Sequence, residues 1–93
     1  MIVGVMTWEL HLSGCQSLKD KRRILRSLKD RLHNKFNVSV AETAHQDRWQ
    51  RAELTCSVVA TDRRHAESVL GSADKLIESD GFARIVDSFS SFV

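Results

Sequence analysis

Five apolar residues place the strictest condition on what this chain can fold into. Leu18, Leu25, Leu28, Leu32 and Phe36 return with the helical period. At about 100° per residue they gather on one face, with Ile24 on its border. A stripe sustained over about five turns specifies an α-helix that must lay one side against an apolar surface. Its start is marked as well. Ser17 stands three residues before Asp20, the spacing of a capping box, so the helix is expected to begin there and run to about Phe36.

Segments of period two supply the surface. Ile2 to Leu12 alternates as a strand, with Ile2, Gly4, Met6, Trp8, Leu10 and Leu12 forming the more apolar, core-facing side. Ser13 to Gln16 is a turn. After the helix, Val38 and Val40 alternate with Ser39 and Ala41 in a strand reaching about Ala44. Trp49 to Ala60 alternates again, and the short polar connection between the two reads as a hairpin. Thr61 or Asp62 caps a second helix, in which Ala66, Val69, Leu70, Ala73, Leu76 and Ile77 keep the helical spacing. Asp80-Gly81 ends it, with Gly81 suited to the left-handed position beyond the last turn. Phe82 to about Phe92 is a fourth strand, with Ile85 and Phe89 on one side and Val86 on the other.

The order is therefore β-α-β-β-α-β. It implies an α+β, ferredoxin-like two-layer sandwich, with two helices on one face of an antiparallel sheet of strand order 4-1-3-2. Ninety-three residues suffice for one such domain spanning 1–93. The topology brings the end of strand 1, the start of helix 1, the strand 2–3 hairpin and the end of helix 2 to one end of the molecule.

The net charge of +2 conceals an asymmetry. Residues 18–36 hold eight Lys/Arg against Asp20 and Asp30, a net of +6, while the remainder sums to −4. On the helical wheel Arg22, Arg26, Lys19 and Arg23 lie about 60° to 160° from Leu25, with Lys29 and His33 bordering them. Several fall in the first turns, where the helix dipole disfavours an exposed cation by about 0.3–1 kcal/mol each. An anionic partner would compensate, because helix N-termini and Arg/Lys side chains both bind phosphate oxygens. The hairpin adds Arg48, Trp49 and Arg51 at the same end, and a basic cluster beside an aromatic is an RNA footprint. A solvated face that keeps a small protein soluble explains the same residues without a ligand. Both readings stay open.

Ser17-Leu18-Lys19-Asp20-Lys21-Arg22-Arg23, then Phe36-Asn37-Val38-Ser39-Val40-Ala41-Glu42, then Trp49 ahead of a Leu54-to-Val59 strand, resemble the small bacterial YlxP-like family. The resemblance covers nearly the whole chain and implies the same fold. Members are often encoded among translation and ribosome-maturation genes, so it also implies association with RNA or a ribosomal particle. It implies no catalytic residue and no cofactor.

Other chemistry finds little support. Lys21 falls inside the apolar stripe, and Glu42 continues the inward parity of Val38 and Val40, so the two are expected to form a partly buried structural ion pair. His11, His33, His45 and His65 share no metal-ligand spacing with each other or with Cys15 and Cys56, although His45 and Asp47 share the hairpin. The two cysteines are expected to be buried thiols of a cytoplasmic protein. No secretion signal or membrane span is expected, and no nucleophile–base pair points to an enzyme. The outward sheet positions Val3, Val5, Thr7, Thr55, Ser57 and Val59 include no aromatic on which a base could stack. Such a face suits homodimerisation instead, or is an ordinary exposed antiparallel surface.

Overall fold

The computed structural model describes all 93 residues. The chain runs β1 (Ile2–His11), α1 (Leu18–Lys35), β2 (Ser39–Ala44), β3 (Arg51–Ala60), α2 (Arg63–Glu78) and β4 (Arg84–Phe92). All strand pairings are antiparallel and the order is β2-β3-β1-β4, which is 4-1-3-2 read from the other edge. The fold is thus the ferredoxin-like sandwich that the two hydrophobic periods imply.

The start of α1 follows from its cap. Ser17 is extended and its Oγ accepts from the Asp20 N–H at 3.1 Å, while Asp20 Oδ2 accepts from the Gln16 N–H. Leu25, Leu28 and Leu32 are then buried against the sheet. They join Trp8, Leu10 and Leu12 of β1, Leu54, Cys56 and Val58 of β3, and Ala66, Leu70, Ala73 and Ile77 of α2 in one core. Each buried leucine contributes about 1.5–3 kcal/mol of apolar transfer. Gly4 lets α2 approach β1 closely, since a Cβ there would lie 3.0 Å from Leu70 Cδ1 and 3.3 Å from Ala66 Cβ. Trp8 is fully buried, and its indole N–H donates to Asp74 Oδ1 at 2.8 Å, anchoring α2 to the sheet.

Three sequence expectations need correction. The register between β1 and β4 shifts at Glu9/Leu10, so that Asp87 faces Glu9 while Ile85 faces Leu10. Val86 is the extra residue of this β-bulge, and it reverses the parity of everything after it. Phe89 therefore pairs with Thr7 on the outer face and is 65% exposed, instead of lying inward beside Ile85. The outer face does carry an aromatic. Second, Gly81 does not adopt a left-handed cap. No glycine has positive φ, Ser79 caps α2 in a right-handed conformation, and Asp80 Oδ2 turns the chain by accepting from the N–H groups of Phe82 and Ala83. Third, β3 begins at Arg51, which leaves Trp49 in the hairpin loop.

Candidate nucleic-acid interface

The basic residues of α1 separate into groups once the helix is seated. The burial of Leu25, Leu28 and Leu32 sets its orientation. At about 100° per residue, Lys29, Arg22, Arg26 and Lys19 then follow one another along the flank away from α2, over the edge strand β2, with His33 among them. Lys19, Arg22 and Arg26 are exposed and Lys29 is partly so. None of the four has a carboxylate within ion-pair distance, whereas Arg23, Arg31, Arg51 and Arg63 all do.

Arg23 belongs elsewhere. Its Nη2 lies 3.3 Å from Asp20 Oδ1, one turn back. With Asp20, Ile24 and Ser27 it lines a cavity of about 330 Å³ facing Asp80 and Phe82. Arg31 turns the same way and is bound to Asp80. Of the basic residues read from the wheel, Lys19, Arg22 and Arg26 share a surface with Lys29, and Arg23 faces the α2–β4 connection.

Lys21 has another task. It is 2% exposed, with Nζ 2.7 Å from Glu42 Oε2 and donating to the His45 carbonyl at 2.5 Å. One ammonium thereby ties α1 to β2 and to the hairpin loop. His45 itself has φ of 64°, a left-handed conformation that a non-glycine residue adopts at some cost. Two contacts hold it there: the carbonyl receives Lys21, and Nε2 meets Glu9 Oε1 at 2.8 Å. His45 thus engages Glu9 and not its loop neighbour Asp47. Arg51 donates to the other Glu9 oxygen at 2.9 Å. Burial pushes the Glu9 carboxyl up, but the hydrogen bonds and charges of His45 and Arg51 outweigh it and hold Glu9 below its ordinary range.

The hairpin loop is fixed to the β1–α1 connection too. Gln50 Nε2 donates to the carbonyls of Ser13 and Cys15, and the Leu12 N–H donates to the Gln50 carbonyl. Arg48 and Trp49 are both exposed in this anchored loop, Trp49 at 51%. The helical wheel points Lys21 inward and strand parity does the same for Glu42, but no sequence signal marks His45 as the loop's anchor. The two thiols take no part: burial pushes Cys15 up, and Cys56 up to about 11.

Residues 3–89 match the family described as "Protein of unknown function (DUF503)". The chain belongs to that family. A relative, the uncharacterized protein YlxP of Bacillus subtilis (strain 168), is 35% identical over 78 residues, covering 84% of this chain and 85% of YlxP. Among solved structures, a C-terminal segment of the alpha subunit of aIF2 from Pyrococcus abyssi superposes with a TM-score of 0.47 at 16% identity. That match covers all of this chain, which spans about half the length of the structure it resembles (49%). No helix of this DUF503 protein is long and apolar enough to cross a membrane.

Proposed function

We propose that this DUF503 protein is a cytoplasmic, non-enzymatic binding module that contacts RNA, as in a ribosomal particle, through the free flank of α1 and the β2–β3 hairpin. One observation carries the reading: Lys19, Arg22, Arg26 and Lys29 form a row of cations without carboxylate partners, while the arginines that turn toward α2 are paired. Such a row repels itself, and its first members also oppose the helix dipole. A phosphate backbone reverses both terms, and displacing its condensed counterions supplies the driving force. Arg48 and Trp49 add a cation and an aromatic face from the hairpin loop, which Lys21 and Gln50 tie to the start of α1 and to the β1–α1 connection. Lys21 and Glu42 position the hairpin without touching the ligand.

The test is a mobility shift with ribosomal RNA at low salt. The protein should retard the RNA, and an Arg22→Glu/Arg26→Glu variant should not. Retardation by the variant equal to that by the parent would discard the reading.

Homodimerisation through the outer sheet face is the second reading, favoured by exposed Phe89, Val59 and Val93. Its weakness is size. Three residue rows over four strands cover about 20 by 19 Å, or about 400 Å² per copy against about 800 Å² in a standard interface, and the middle row is Ser39, Ser57, Val5 and Ser91, so the patch is only partly apolar. Beyond it Glu53, Glu9 and Asp87 lie directly opposite one another across β3, β1 and β4, so extending the contact brings carboxylates together. Light scattering that shows a dimer broken by Val5→Glu would favour this alternative.

A further inference from the structure

We infer that the RNA recognised by this flank is unpaired: a single strand lies along α1 beside the open edge of β2, with one base stacked on Trp49. The inference rests on the proposed RNA contact and deepens it.

Width comes first. On the helical axis the free cations occupy a sector from about 40° to 120° from Leu25. Asp30 follows at about 140°, then Arg23 at about 160°, which is paired with Asp20 at about 220°, so the solvent side of the row carries two carboxylates against one paired cation. On its other side lies β2, which borders the sheet and pairs only with β3. The row is therefore one side chain wide. It can follow the phosphates of one strand, and there is no second row of free cations beside it for the opposite strand of a duplex. Lys19 to Lys29 spans about 15 Å along the helix, a length that engages a few successive nucleotides.

The hairpin gives an independent reason. A half-exposed indole is a stacking surface, and bases inside an A-form helix are unavailable to it, whereas splayed bases stack on aromatic side chains. Trp49 is also presented on a fixed support. Lys21 holds the loop through the His45 carbonyl, and Gln50 holds it through the carbonyls of Ser13 and Cys15. The loop need not order itself when a base arrives, which saves binding free energy. The outward backbone groups of the β2 edge add donors and acceptors beside the cation row, and they read no sequence. Recognition should thus follow strandedness and be tolerant of sequence.

The two tryptophans make the test selective. Trp8 is fully buried and hydrogen-bonded to Asp74, so ligand-induced quenching reports Trp49. The probes are an unstructured uridine dodecamer, a blunt RNA duplex of the same length, and inorganic polyphosphate. The dodecamer should bind tighter than the duplex and quench fluorescence. Trp49→Phe should keep stacking and most affinity, while Trp49→Ala, with an unchanged circular dichroism spectrum, should lose about ten-fold. Tighter duplex binding, dodecamer binding without quenching, or no loss in Trp49→Ala would overturn the inference and leave RNA contact standing. Binding of neither RNA, or of polyphosphate equally well, would overturn both.

Discussion

Replacing Lys21 by Met isolates the one buried charge on which the hairpin's position depends. The methylenes stay packed, and what is removed is an ammonium 2.7 Å from Glu42 Oε2 and 2.5 Å from the His45 carbonyl. Breaking a buried pair by deleting one partner costs about 3–5 kcal/mol. Glu42 keeps 21% side-chain exposure, so water relieves part of that, and a loss of about 2–3 kcal/mol is expected. For a domain of this size that lowers the melting temperature by roughly 10–20 °C. Adding Glu42→Leu removes the stranded carboxylate and should recover most of the loss, leaving about 1 kcal/mol for the unsatisfied His45 carbonyl. Urea titrations of the parent, both single variants and the double variant give the coupling energy directly. Unchanged stability in Lys21→Met, or a double variant whose loss equals the sum of the singles, would refute the pairing.

Ser17→Ala removes the acceptor for the Asp20 N–H and should cost about 1 kcal/mol, read from the same titration. Gly4→Ala drives a methyl to 3.0 Å from Leu70 Cδ1 and 3.2 Å from Phe92 Cε1, an overpacking expected to cost about 1–3 kcal/mol. Because Glu9 titrates below 4.5 when folded, its contribution is full above that pH and is lost as acid protonates it. Glu9→Gln should therefore flatten the acid limb of a melting-temperature profile below about pH 4.5. Cys56 behaves oppositely. Its folded thiol titrates at about 11 against an ordinary 9.0, so stability should fall from pH 9 to 11, and less steeply in Cys56→Ala.

The fold was legible because its two periods do not overlap. The leucine stripe of α1 and the alternation in β1 and β3 leave each segment one solution, and Ser17 marks the boundary between them. What could not be read were local events set by tertiary contact. A bulge has no signature in Val86 itself, yet it sends Phe89 to the opposite face. The end of α2 looked like a glycine cap because Gly81 was there, but the Asp80 carboxylate turns the chain first. At the candidate site the wheel gathers Lys19, Arg22 and Arg26 on one flank of α1. It could not show Arg23 turning back to Asp20, because a 160° position lies near both the free flank and the acidic side. Nor could it separate free cations from paired ones, since Asp80, the partner of Arg31, is 49 residues away in sequence.

Whether the free flank of α1 binds RNA through its phosphates is read from the slope of log affinity against log salt for the uridine dodecamer. Five phosphate contacts, from Lys19, Arg22, Arg26, Lys29 and Arg48, predict a slope near about −3.5. Arg22→Ala/Arg26→Ala should reduce it to about −2 while lowering affinity at every salt concentration. An unchanged slope and affinity in that variant would contradict the account.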